Sequence, residues 1–433
     1  MDINRRLLSS LPLRTSLSLA LGFSLGTNPA AATILPVSSC ADDGSAGTLR
    51  HVIGSANAND TIDLHSQLSC SAITLANGEI MMGHSLTLEG PADRKLTIIG
   101  DGASRIFEIQ GTSQSYGSLT LKNLSVSGGR GQTSGGCILA SVAVALDHSN
   151  VSDCTIQPLF NTHGYGGGVD APSVSIINDS HLYANSAFTG NNPAKYVTYG
   201  GGAFASTQLS CSDSTISGNF AAIGGGLATK GAATITRCTI DTNHGIYGGG
   251  IAHFGTTGAF TTTGSTISGN NAFRAAGIYS KVALGVYNTT VAANTTSTPY
   301  VAGILALKNI TAQSCIIAHN FNSAGNPYDL MMGPSAALLG ADNAIVNTNA
   351  LPPPGVITVT ADPHLAPLGD HGGPTRTHAL LATSPAFDHG NNSRALPTDQ
   401  RGNGFSRIVG AAADIGAYER QAIDDEIFFD GFD

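Results

Sequence analysis

The sequence predicts an all-β chain: a right-handed, single-stranded parallel β-helix with a short N-terminal capping helix and a C-terminal capping module. Three observations predict it. A short phrase, STISGN at 214–219 and 265–270, returns in looser form at 180–185, 238–243, 289–294 and 315–320. A glycine phrase keeps the same step, with Gly-Gly-Gly ahead of Val169, Leu227 and Ile251 and degenerate forms ahead of Ile138, Ala203, Ile278 and Ile304. Within each copy apolar and small polar residues alternate, as in ATITRCTI at 233–240, and a period of two means strand.

The apolar residue of each phrase marks the coils at Val126, Ile156, Leu182, Ile216, Ile240, Ile267, Val291 and Ile317, in steps of 24 to 34 residues. A fixed period in this range means stacked structural repeats. The commonest steps are short for a strand–helix–strand unit, which takes roughly 30 or more residues. They suit one coil of two or three strands, stacked on the next about 4.8 Å away. The apolar marks then form a buried stripe. The asparagine that ends each phrase forms a second column, where stacked amides satisfy one another. The crossover rule supplies the right hand.

In chain order, residues 1–32 resemble a secretory signal. Arg5, Arg6 and Arg14 precede an apolar run at 17–25, followed by Ala30-Ala31-Ala32, an A-x-A cleavage pattern. The run is shorter than the ~20 residues of a membrane span, so no span is expected in the mature chain. Residues 33–123 hold the N-terminal cap and first irregular coils. There, GTLRHVIGSAN at 47–57 places Leu49, Val52, Ile53 and Ala56 at helical spacing behind Thr48, a plausible N-cap. Such a helix covers the otherwise open first coil. Regular coils occupy 124–345. A proline run at 352–354 falls within a module at 346–420, and an acidic aromatic tail at 421–433 suits a sorting or anchoring signal. The net charge of −9 makes nucleic acid a poor partner, because its binding rests on Lys and Arg.

Five phrases in the module appear in order: DPHL at 362–365, GGPTRT at 372–377, SPAFD at 384–388, DQRG at 399–402 and DIGAYE at 414–419. Together they resemble the choice-of-anchor Q domain of bacterial exported β-helix proteins. The GTLRHVIGSAN segment resembles the start of such proteins, with Val52 where alanine is usual. The resemblance implies a pectin-lyase-like β-helix, export and a variable C-terminal tail. It implies no catalytic activity.

Seven cysteines leave at least one unpaired within the chain. Cys154, Cys238 and Cys315 each precede a mark by two residues and are expected to be small core residues in one column. Cys154 and Cys238 lie three coils apart on that reading, beyond disulfide reach. Cys40 with Cys70 is the pair to test. No zinc spacing is present.

Four sets of residues are candidates for chemistry. Asp153, Asp179 and Asp213 precede their marks by three, so they face outward on successive coils. They are either solvent-facing residues at the start of a strand or ligands of a cation, calcium being the only cofactor the chain suggests. A second column holds Tyr165, Tyr199, Tyr247 and Tyr300 with Arg274. It is either a structural aromatic stack or a platform for sugar rings with a cation beside it. The long loop at 186–198, with Lys195 and Tyr196, marks the same corner, because insertions in a solenoid gather on its binding face. His163, His244, His253 and His319 share no column and read as exposed turn residues. Asp388, Asp399, Arg401, Asp414 and Glu419 suit a folded cap stapled by side-chain bonds.

These features predict an exported, cell-surface or secreted protein that binds glycans, or acts in adhesion or structure, without catalysis. The alternative is a polysaccharide lyase or glycoside hydrolase on the same fold. Against it, the sequence lacks the combination of Asn-Thr-Asp with Asp-Asp and Gly-His-Gly that marks such enzymes, and its coils offer few acids and bases.

Overall fold

The computed structural model describes residues 31–93, 96–110, 117–158, 162–187 and 197–421. The expected signal run, the residues of the acidic tail beyond 421, and Lys195 and Tyr196 lie outside the described residues.

One coil shows how the repeat closes. Leu227–Thr229 and Ala232–Thr236 form one wall, the backbone turns at Arg237 (φ 50°), and Thr239–Asp241 forms the second wall. It turns again at Thr242 (φ 55°), and His244–Tyr247 leads back to the glycine phrase. The next coil repeats the course in register: Leu227 pairs with Ile251, Ala233 with Phe260, Ile240 with Ile267 and His244 with Asn271, all parallel. Stacking yields a broad sheet of 20 strands, a narrow sheet of 12 and short corner sheets. The chain is a parallel β-helix, right-handed by the crossover rule. No described helix is long and apolar enough to cross a membrane.

The marks are buried as the alternation requires. Val126, Leu182, Ile216, Ile240, Ile267, Val291 and Ile317 are all 0% exposed. One mark moves. Val151, not Ile156, stacks between Val126 and Leu182, whereas Ile156 belongs to a short corner strand paired with Ala187. The resemblance of Cys154-Thr155-Ile156 to the repeat phrase is local. The hydrogen-bond ladder sets the register, and a slip there would turn buried residues outward.

Cys154 therefore occupies the asparagine column, at its N-terminal end. Its N–H donates to Asn185 Oδ1 at 3.1 Å. From there the ladder climbs through Asn219, Asn243, Asn270, Asn294 and Asn320. Each side-chain oxygen accepts from the backbone N–H and the amide of the asparagine before it. Asn243 Nδ2, for instance, donates to Asn270 Oδ1 at 3.0 Å and to Ile216 O at 2.9 Å. The ladder explains the last glycine of each glycine phrase. A Cβ on Gly226 or Gly250 would lie 3.0 to 3.1 Å from the Asn243 or Asn270 amide and closer still to backbone.

Two expectations about cysteine are corrected. Cys154 and Cys238 are not free core residues: Cys137–Cys154 and Cys211–Cys238 are disulfides, beside the anticipated Cys40–Cys70. Cys154 and Cys238 cannot meet each other, but each meets a cysteine on the broad-sheet side of its own or the preceding coil. Cys315 is the free, buried thiol.

At the N-terminus the expected helix spans Leu49–Ser55, with the Thr48 side chain accepting from His51 N–H and with Leu49, Val52 and Ile53 buried in the main core. Arg50 ties it down through a paired contact to Asp42 (2.8 and 2.9 Å) and bonds to the Gly78 and Glu79 carbonyls. The C-terminal module lies along the outer flank of the narrow sheet. Thr239 donates to Arg376 O at 2.6 Å, Thr266 to Gln400 Oε1 at 2.6 Å, and Ala417 N–H to Thr290 Oγ1 at 3.0 Å. The outward hydroxyls of three successive coils thus receive it. Its apolar side chains, including Leu380, Ile415 and Tyr418, pack on Ile316, Ala318 and Ala344.

Candidate functional site

On the broad sheet, residues that alternate with the buried ones face outward and align in columns. Glu108, Leu139, Asp170 and Phe204 occupy one such column by direct register, continued by Ala228, Ala252 and Tyr279. The tyrosine column runs beside it on the glycine corner, where bridges join Ser134 to Tyr165, Tyr199 to Ile223 and Ile223 to Tyr247. On the other side stand Lys230 and Phe254.

Aromatic rings from the three columns meet over the face. Tyr165 and Tyr199 stack at 5.3 Å with 10° between planes, and Tyr199 stacks on Phe254 at 4.4 Å. Phe204 lies 4.8 Å from Tyr165 and 6.0 Å from Phe254. The exposed Lys230 ammonium sits 5.5 to 5.8 Å from the rings of Tyr165, Phe204 and Phe254, within cation–π range. Beside Lys230 and Phe254 opens a depression of about 530 Å³, edged by Ser206, Thr207 and Thr256. Farther along, Tyr247 approaches Tyr279 at 5.5 Å, and the Arg274 guanidinium lies 3.6 Å over the Tyr300 ring. The tyrosine column expected from sequence is thus one continuous corner.

Toward the N-terminus the face becomes acidic. Arg105 bridges Glu79 at 2.8 Å and also contacts Glu108, whose other oxygen accepts from Gln110 at 2.8 Å. Asp170 lies between this cluster and the aromatic patch. Burial raises its carboxyl to about 7, against weaker opposing effects of the Ser134 hydroxyl, Arg105 and Lys230. The expectations from sequence omit Asp170, Phe204, Lys230 and Phe254. A signal for the first was present: it is the one acid among Leu139, Phe204, Ala228, Ala252, Tyr279 and Leu305 at the second position after the glycine phrase.

The acidic set is divided by the structure. Asp179 and Asp213 are neighbours at a left-handed corner (φ 56° and 49°), but Asp153 follows its true mark by two residues and sits at the other corner. Asp213 is held by Arg237 through two bonds of 2.6 Å, and Asp179 lies 3.2 Å from His181. Asp153 is exposed and accepts from Ser127 at 3.3 Å. Among the described residues no group of three or more His, Cys, Asp or Glu is placed to hold a metal.

The histidines differ from expectation at one position. His253 is wholly buried, pointing inward beside Phe260 at 5.9 Å, because it takes an inward place on Ile251–His253. His163, His244 and His319 do lie at turns or corners, His319 bonding Asp362 at 2.8 Å.

In the C-terminal module the charged residues staple backbone. Asp399 binds Arg401 at 2.8 and 2.9 Å and accepts from Glu419 N–H, with the guanidinium between Phe405 and Tyr418 at 3.9 Å from each. Asp414 accepts from the N–H groups of Asp388 and Arg420, and Glu419 from those of Val409 and Asp414.

No family model matches the sequence, and no curated protein matches it. Among solved structures, the crystal structure of pectate lyase Pel9A is similar over 90% of this chain and 96% of that chain, at a TM-score of 0.44 and 12% identity.

Proposed function

We propose that this protein is exported and binds a polysaccharide along the outer face of its broad sheet. The observation that carries the reading is the aromatic patch of Tyr165, Tyr199, Phe204 and Phe254 under the Lys230 ammonium. Sugar rings pack their C–H faces on aromatic planes, and a groove along stacked coils presents such planes at regular spacing to a linear chain. Three disulfides support an oxidising compartment, in keeping with the signal-like start of the sequence. The resemblance of residues 362–419 to choice-of-anchor Q domains supports a cell-surface or secreted setting, with the tail as a sorting element.

The test is retention of the protein in native gels containing single polysaccharides, neutral and acidic. Retention on at least one polymer, weakened by Tyr199→Ala, is the expected result. Equal mobility in every gel would sink the reading. Binding alone accounts for the aromatic and cationic part of the face.

A further inference from the structure

Charge is unevenly spread along the chain. The net charge is −9, yet between Asp213 and Asp329 there is one acid, Asp241, against Lys230, Arg237, Arg274, Lys281 and Lys308. Asp241 is taken by Arg376 and Arg237 by Asp213, each at 2.6 Å, at the narrow sheet and its corner. Lys230, Arg274, Lys281 and Lys308 have no ion pair among the described residues, and Arg274 Nε is buried without a hydrogen-bond partner. The acids of the broad face, Glu79, Glu108 and Asp170, belong to coils nearer the N-terminus, where Arg105 holds the first two.

The unpaired cations border the aromatic patch. Thr229, His253, Ser280 and Ala306 are aligned in register, so the residues that follow them, Lys230, Phe254, Lys281 and Leu307, form an outer column at the turn of the broad sheet. Lys230 and Lys281 are exposed on either side of Phe254, two coil steps or about 10 Å apart. Arg274 stands at the other edge, on the tyrosine corner, in register with Tyr247 and over the Tyr300 ring. The depression beside Lys230 is lined by the hydroxyls of Ser206, Thr207, Thr256 and Thr257 and by no acid. Elsewhere on the same sheet a lysine has its acids: Lys122 stands in register between Glu89 and Asp147. The rings do not replace such partners, because an aromatic ring offers a quadrupole and no net charge.

We propose that the polysaccharide taken by this face is anionic, its carboxylate or sulfate groups lying on Lys230, Lys281 and Arg274 while its sugar rings stack on Tyr165, Tyr199 and Phe254. The inference rests on the binding reading above and gives the ligand its chemical class. A chain of net charge −9 does not draw in a polyanion as a whole, so such binding has to come from this face. Nucleic acid fits less well, since its affinity rests on many phosphate contacts and the face offers few cations.

The experiment measures affinity of the full chain in native gels for polymers paired by backbone. Polygalacturonate is set against its methyl ester, alginate against its propylene glycol ester, and cellulose sulfate against hydroxyethyl cellulose. Single-stranded DNA is the polyanion without sugar rings in its backbone chemistry of this kind. We expect the acidic member of at least one pair to bind about tenfold more tightly than its neutral partner, less so as salt screens the charges. Preference within the first two pairs identifies a carboxylate, and preference within the third a sulfate. Lys230→Gln and Lys281→Gln should each weaken the acidic member about two- to fivefold, as for an exposed ion pair, with Lys230→Arg retaining it. Both lysines are exposed, so melting temperatures should hold. Equal or weaker binding of the acidic member in every pair overturns the anionic class and leaves the binding reading standing; no retention by any polymer overturns both. An acidic preference unchanged in the Lys230→Gln, Lys281→Gln double variant removes these cations from the role. DNA bound as tightly as the best glycan overturns the glycan class.

Discussion

Asn320 Nδ2 and the Asn320 backbone N–H both donate to Asp329 Oδ1, each at 2.9 Å, so the asparagine ladder ends on a carboxylate. Every amide below passes its N–H upward and accepts from beneath. The last position therefore needs an acceptor with nothing left to donate. Asp329 Oδ2 meets a further donor, the Asn347 N–H at 3.0 Å, which is why an acid fits there and an amide does not.

Asp329→Asn tests that polarity. Its new NH₂ group would face the Asn347 N–H, donor against donor, in a site that is 0% exposed. An unsatisfied buried donor costs about 1–3 kcal/mol. Thermal melting by circular dichroism should show a loss of that order. An unchanged melting temperature would mean that the ladder end rearranges freely and that ladder polarity is not what selects the acid.

The coil repeat was legible because buried columns repeat chemistry in register. Ile240 and its equivalents are read from period alone, and the Asn column from its spacing to them. What escaped was whatever the repeat imitates locally or meets from far away in sequence. Cys154 copies a phrase but takes the place of an asparagine, which carried Asp153 into a column it does not share. Disulfides join neighbouring coils, so they depend on which coil each cysteine enters. The module at 346–420 reads as a cap by composition, yet its seat on Thr239, Thr266 and Thr290 is set by contacts more than a hundred residues apart. Asp170 escaped because its column, Glu108, Leu139, Asp170 and Phe204, repeats no chemistry from coil to coil.

The cysteines allow a matched comparison. Cys238 and Cys315 occupy a column shared with Ser265 and Thr289, whose hydroxyls donate to the carbonyl two residues back at 2.9 Å. Cys315 Sγ makes the same contact to Gln313 O at 3.2 Å, and burial pushes its thiol up to about 12, leaving it protonated. Serine inherits that partner, so Cys315→Ser should cost under about 1 kcal/mol. Cys211→Ala with Cys238→Ser opens a disulfide spanning 27 residues and should cost about 3–4 kcal/mol by loop entropy. Equal losses in the two variants would place the stabilisation in the column and not in the bond.

Tyr199 separates the two readings of the aromatic corner. It is half-buried and contributes two ring stacks, to Tyr165 and Phe254, each about 0.5–1.5 kcal/mol. A purely structural role predicts for Tyr199→Ala a fall in melting temperature with gel retention intact on whichever polymer binds. A binding role predicts retention weakened about tenfold, with a stability loss no larger than those stacks. Tyr247→Ala, farther along the same column, should follow the same pattern with a smaller effect.

Asp170 should leave a mark on stability that is independent of any substrate. Its folded carboxyl titrates near 7, while the ordinary value is 3.8, so between those limits the folded state binds more protons than the unfolded one. Stability contributed by this group is therefore present in acid and declines as pH rises from about 4 to 7. The full difference corresponds to roughly 4 kcal/mol, and partial exposure to solvent reduces it to about 1–2 kcal/mol. Asp170→Asn removes the titration. Its melting temperature relative to wild type should rise across that window and level off above it. A constant difference from pH 4 to 8 would mean that Asp170 is ionised throughout, and that burial does not hold its proton.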